Sequence, residues 1–186
     1  MNGKVPIQRR QTNRDLLREI AYDNRGFVSV PAAAEIGVPN IELAKLAARG
    51  HLEHVAYGLY RMPEIPRSPD DQFTEAILRT GEHAFLRGES VLALLGLADV
   101  NPTRITVGVP GRVRRSVPPW MEVTRAAEGA QTTFYNGVRS QPVSEAILES
   151  IGRIPRDRLH DAALHARREG WLTALEAEHI QKVLSS

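Results

Sequence analysis

Apolar residues recur in the first sixty positions at two different periods. Leu16, Leu17, Ile20 and Ala21 share one helical face, which predicts a helix capped by Thr12 or Asn13 and running to about residue 24. Gly26 marks its end. Residues 27–30 form a short extended run, and Pro31 suits the first turn of a second helix over 31–36. Gly37-Val38-Pro39-Asn40 is a turn. With Asn40 as cap, a third helix is expected over 41–49, ended by Gly50. Two runs rich in β-formers, 52–57 and 59–62, meet at Tyr57-Gly58 and predict a hairpin.

Three prolines in seven positions, 63–69, interrupt the pattern and predict a semi-rigid spacer between two domains, 1–62 and 70–186. Beyond it, helical periods return over 70–80, with Phe73, Ala76 and Ile77 inward, and over 89–97, where Val91–Leu95 is apolar on nearly every side. Alternation at Ile105, Val107 and Val109 predicts a strand over 104–109. Further strands are expected at 121–125 and 132–135, with a return at 138–141 across Asn136-Gly137, a strong hairpin signal. Helices over 144–151, 156–169 and 174–184 close the chain, the last with Thr173 and Glu176 at capping-box spacing. The expected class is α+β, with a C-terminal mixed α/β domain that ends in helices.

The chain has 186 residues and no cysteine, so disulfides, thiolate metal sites and cysteine nucleophiles are excluded together. No uncharged apolar run approaches the ~20 residues of a membrane span, and the first residues lack a signal-peptide core; a cytoplasmic protein is expected. Net charge is only +2, but residues 1–62 hold nine Lys/Arg against six acids and the remainder 15 against 16. A basic front and a balanced rear point to nucleic acid as partner of the first domain.

Helix, short strand, helix, tight turn, helix and hairpin is the order of a winged helix-turn-helix, whose third helix projects into a DNA major groove ~12 Å wide. Along that helix Leu43, Leu46, Ala47 and Gly50 share an inward arc, and Asn40, Ile41, Glu42, Lys45 and Arg49 the outward one. Asn pairs well with adenine, and Lys or Arg with guanine. Asn40, Glu42, Lys45 and Arg49 are therefore candidate DNA contacts. On the hairpin Arg61 and Tyr57 are candidate phosphate contacts, with His51 and His54 as weaker ones. Arg9, Arg10 and Arg14 suggest an arm for the minor groove. For each residue the competing role is ordinary solvated surface.

The stretch Leu46-Ala47-Ala48-Arg49-Gly50-His51-Leu52-Glu53-His54-Val55-Ala56-Tyr57-Gly58-Leu59-Tyr60-Arg61 resembles the N-terminal domain of AbiEi-type antitoxins. Ser90–Pro102, followed by Arg104-Ile105-Thr106-Val107-Gly108-Val109-Pro110, resembles the start of that family's C-terminal domain. The resemblance covers residues 12–150. It implies an antitoxin of a two-gene toxin–antitoxin system linked to phage defence. The winged helix would bind repeats in the system's own promoter and repress it, and the second domain would counteract a nucleotidyltransferase-like toxin. Direct contact with the toxin does not follow from it. The alternative is an interaction protein that blocks a toxin by contact and reads no DNA.

An enzyme is not expected. Nuclease chemistry needs clustered carboxylates near a lysine, and the chain has Lys4, Lys45 and Lys182 alone; Thr124 stands two positions after Glu122 where a lysine would serve. Asp99 and Glu122 remain as an isolated pair. His160 and His165 lie five apart, on different helix faces, and His83 and His179 lack ligand-spaced partners. Neither a phosphate-cradling glycine loop nor a metal or cofactor site is predicted. Arg112, Arg114 and Arg115 form a basic loop, a possible second patch for nucleic acid or an acidic partner. Trp171 is expected to staple the last two helices.

Overall fold

A computed structural model of the chain describes residues 11–81, 83–111 and 116–186. Among these are eight helices and two sheets, a mixed α and β architecture divided into two compact units, residues 1–68 and 69–186.

In the first unit α1 spans Asn13–Asp23. Thr12 caps it reciprocally: its hydroxyl accepts from the Asp15 N–H at 3.2 Å, and the Asp15 carboxylate accepts from the Thr12 N–H at 3.0 Å. These Thr12 hydrogen bonds, helped by the nearby Arg18 and Arg14 charges, hold the Asp15 carboxyl below its ordinary range. Leu17 and Ala21 turn inward. β1 (Phe27–Ser29) leads into α2 (Val30–Glu35), where Ser29 accepts from the Ala32 N–H at 3.2 Å and Pro31 sits in the first turn. After a four-residue turn comes α3, Asn40–Ala48. Asn40 is its first helical residue, not its cap; Pro39 holds the cap position and no side chain closes that end.

β2 (Glu53–Ala56) and β3 (Leu59–Arg61) form the predicted hairpin. The short run before α2 is its third strand: β1 pairs antiparallel with β3, giving the order β1-β3-β2. Leu17, Ala21, Val28, Ala33, Val38, Leu43, Leu52, Tyr60 and Met62 build the core. Ile65 joins them, 7% exposed, which corrects the expected spacer. An apolar side chain placed two residues after Pro63 is worth more buried than in solvent, so the proline segment folds back onto its own unit. Its prolines bend the chain instead of extending it.

The second unit opens with α4 (Asp71–Thr80), which buries Phe73, Ala76 and Ile77. β4 (Phe85–Leu86) follows, then α5 (Glu89–Leu94), β5 (Ile105–Val109), β6 (Met121–Arg125), β7 (Thr133–Tyr135) and β8 (Val138–Ser140). Helices α6 (Val143–Glu149), α7 (Arg156–Arg168) and α8 (Ala174–Ser185) finish the chain. The strands lie in the order β6-β5-β4-β8-β7. β4 was not expected, yet it holds the centre, antiparallel to β5 and parallel to β8. Two residues are too few to show a period of two. α5 stops three residues before the expected 97, although Leu95 and Leu97 remain buried.

Leu86, Ile105, Val107 and Val138 belong to the large core with the helices, and Trp171 packs against its rim, edge-on to Tyr135 at 6.3 Å. The Tyr135 hydroxyl accepts from the Val143 N–H at 3.0 Å and satisfies an orphan donor at the start of α6. Burial pushes the Tyr135 phenol up. The 126–132 connection runs between strands at opposite edges of the sheet, across roughly 19 Å at four strand spacings.

Candidate nucleic-acid interface

The unit 1 fold presents α3 by burying one side of it. Leu43 is fully buried and Leu46 and Ala47 are partly so, as the predicted inward arc required. Gly50 has left the helix and is exposed. The solvent side carries Asn40, Ile41, Ala44, Lys45, Ala48 and Arg49. Glu42 is half-buried at its edge, where its carboxylate accepts from the Lys45 ammonium at 2.7 Å. That hydrogen bond, with the Lys45 and Arg49 charges, holds the Glu42 carboxyl below its ordinary range. Lys45 thus stands in the free protein already paired, while Arg49 occupies the C-terminal cap with its side chain in solvent. An exposed pair of this kind is worth little and is easily exchanged for another partner.

The hairpin divides its candidates. Tyr57, at the tip, is 84% exposed. His51 is half-buried, and His54 is exposed with its ring edge-on to Tyr60 at 5.3 Å. Arg61 lies at the opposite extreme, 1% exposed. Its guanidinium donates to the Met62 carbonyl at 3.2 Å and the Ile65 carbonyl at 2.9 Å, and sits 5.9 Å from the centre of the Phe27 ring. Gly26, at φ +93°, passes so close that a Cβ there would come within 3.3 Å of the guanidinium carbon. Arg61 is therefore withdrawn as a phosphate contact. It ties the proline segment to the end of β3.

Arg14 is corrected as well. It belongs to α1, not to an arm, and pairs with Glu64; Arg18 pairs with the same carboxylate at 2.7 Å. The two arginines, Arg18 foremost, pull the Glu64 carboxyl below its ordinary range, and Glu64 raises Arg18 in turn. Sequence reasoning missed this triad, since 46 to 50 positions separate the partners. Arg9 and Arg10, like Arg112, Arg114 and Arg115, lie outside the described residues.

The second unit holds a polar cluster that no local signal announced. Arg87 reaches Glu149 at 3.0 Å and Thr124 at 3.2 Å. The Gln141 side chain accepts from the Gly88 N–H at 3.2 Å and donates to Glu149 at 3.1 Å. Arg87 crosses the sheet over Gly108, where a Cβ would approach its Cδ to 2.7 Å. Beside this cluster the 126–132 connection borders two cavities of about 810 and 450 Å³, floored by Phe85. Of their lining groups, Arg87 is held by Glu149, and Arg139 lies 5.0 Å from the centre of the Phe134 ring. Among the described residues no three His, Asp or Glu side chains gather as a metal site, and no helix is long and apolar enough to cross a membrane. Asp99 and Glu122 are both exposed.

No family model matches the chain, and no curated protein matches it.

Proposed function

We propose that residues 1–68 are a winged helix-turn-helix that binds double-stranded DNA, and that the protein is an antitoxin-type repressor of its own promoter acting in the cytoplasm. The observation that carries the DNA-binding half is the placement of α3. It follows α2 after a four-residue turn, packs through Leu43, and leaves Asn40, Lys45 and Arg49 in solvent ahead of a hairpin with Tyr57 at its tip. That is how a recognition helix and wing are arranged. The antitoxin half rests on the motif resemblance over residues 46–61 and 90–110. On it the second unit counteracts a nucleotidyltransferase-like toxin without catalysis of its own.

A gel shift of the full chain on the DNA upstream of its own gene tests the proposal. Lys45→Ala/Arg49→Ala should weaken binding at least tenfold, since a well-placed base contact is worth ~1–3 kcal/mol. Its thermal midpoint should stay unchanged, because both side chains lie in solvent. Wild-type affinity in the double variant would put the wrong surface on DNA. Loss of toxin neutralisation, with toxin and variant expressed from unrelated promoters, would favour the second reading, an interaction module that blocks a toxin by contact. The apolar share of the α3 surface is the observation in favour of that reading: Ile41 is 59% exposed.

A further inference from the structure

The outermost line of α3 is chemically unusual for a surface meant to meet phosphates. Ile41, Ala44, Lys45 and Ala48 are spaced i, i+3, i+4 and i+7, so they form one stripe along the helix. All four are exposed, and three of the four are apolar. Lys45, the one cation in the stripe, is bound to Glu42 at 2.7 Å. Arg49 and Asn40 stand at its two ends. Methyl groups make up most of the stripe, and the one cation within it, Lys45, is held to one side by Glu42.

On the reading of residues 1–68 as a DNA-binding unit, that chemistry selects a base edge. The major-groove face of thymine carries a C5 methyl group beside its O4 acceptor, and that methyl accepts apolar contact from Ala and similar side chains, whereas guanine, cytosine and adenine present only donors and acceptors there. We infer that the Ile41–Ala44–Ala48 stripe reads thymine methyl groups, with Arg49 and Asn40 fixing the helix at either end. Three features favour this occupant. The alanines are short, so the helix approaches the groove floor closely. The stripe is about 10 Å long at 1.5 Å per residue, the length of roughly three base pairs, and so spans more than one base step. Polar base edges would leave their donors and acceptors facing methyl groups, a cost that the C5 methyl of thymine reduces by covering part of the edge. The binding site should therefore contain at least two thymines within a run of three to four base pairs, on either strand.

The test uses the full chain and duplexes selected by it from a random pool, with the contacted positions located by footprinting. Thymines in the footprint are then replaced one at a time by uracil, which pairs identically and lacks the C5 methyl. Each contacted methyl should be worth about a fourfold loss of affinity, the burial of one such group. At least two neighbouring positions should respond. Ile41→Ala, which removes most of the apolar contact, should reduce the response at one of them while leaving affinity for that uracil duplex nearly unchanged. Equal affinity for the thymine duplex and its fully uracil-substituted counterpart would overturn the inference and leave DNA binding intact. A chain that retains no duplex from the pool would overturn the DNA-binding reading, and this inference with it.

Discussion

The molecule contains two hairpins that look alike on paper. Each turns at a glycine, Gly58 or Gly137, and each carries an arginine on the returning strand beside an aromatic ring. In β2–β3 that arginine, Arg61, is 1% exposed, lies 5.9 Å from the Phe27 ring and donates to two carbonyls. In β7–β8 it is Arg139, partly exposed over a Phe134 ring that is itself 60% exposed. The difference comes from what covers each strand. Both arginine-bearing strands are flanked on two sides, β3 by β1 and β2 and β8 by β4 and β7; Arg61 is in addition overlaid by the segment after Met62, whereas the ring beside Arg139 belongs to the edge strand β7. An arginine on the returning strand of a hairpin becomes a structural tie in one unit, against a ring from β1, and a surface group in the other, against a ring of its own hairpin. Neither hairpin sequence says which.

Substituting the two arginines should give the largest difference between the hairpins. Arg61→Ala leaves two buried carbonyls without their donor and a space beside Phe27, so it should destabilise the first unit by about 3 kcal/mol. Arg139→Ala, a surface change, should cost under about 0.5 kcal/mol. Urea denaturation of the full chain measures both, and equal losses would remove burial as the distinguishing feature. Arg61→Lys sharpens the point: it keeps the charge but cannot bridge both carbonyls, so it should fall between wild type and Arg61→Ala.

Next in size is the cover. If the proline segment completes the first unit, Ile65→Ala should cost about 2 kcal/mol. The loss should appear as reduced protection of Tyr60 and Met62 amides in hydrogen exchange. An unaffected exchange pattern would return residues 63–69 to the role of spacer.

The smallest effect is electrostatic. Glu64 is held below its ordinary value of 4.5 by Arg18 and Arg14. A depressed carboxyl contributes stability that is complete above its unfolded value and fades as pH falls through its folded one. Unfolding midpoints should therefore drop as pH is lowered below about 4.5, and Glu64→Gln should flatten part of that dependence by lowering stability slightly at pH 7 and hardly at all at the acid end. A slope identical in the variant would mean that the pair contributes nothing to stability, as many exposed pairs do.

Much of the molecule was legible because its signals are local. Thr12, one of the two expected caps, closes α1, and Thr173 with Glu176 caps α8 within three residues. The outward arc of α3 followed from angular spacing alone, and the structure leaves most of it in solvent. Both hairpins were placed by their turn residues, within one residue or two. The expected DNA contacts fared less evenly. Asn40, Lys45 and Arg49 are each exposed along α3, whereas Arg61 and Arg14 are committed to partners inside the unit. A basic residue counted from sequence looks the same in either role, because the partner that consumes it can be 50 positions away, as Glu64 is from Arg14.

Periodicity, caps and turn chemistry act over three to eight residues, and within that range the amino-acid order fixes most helices, both hairpins and the inward faces of α1, α3 and α4. The tertiary structure decided what depends on distant neighbours. It made Phe85–Leu86 the centre of a sheet, since a two-residue strand exists only through Gly108 and Val107 on one side and Ser140 on the other. It turned residues 27–29 into a third strand by pairing them with 59–61. It brought Ile65 into the core and Arg61 beneath it, where burying one apolar side chain and satisfying two carbonyls together outweigh leaving the segment in water.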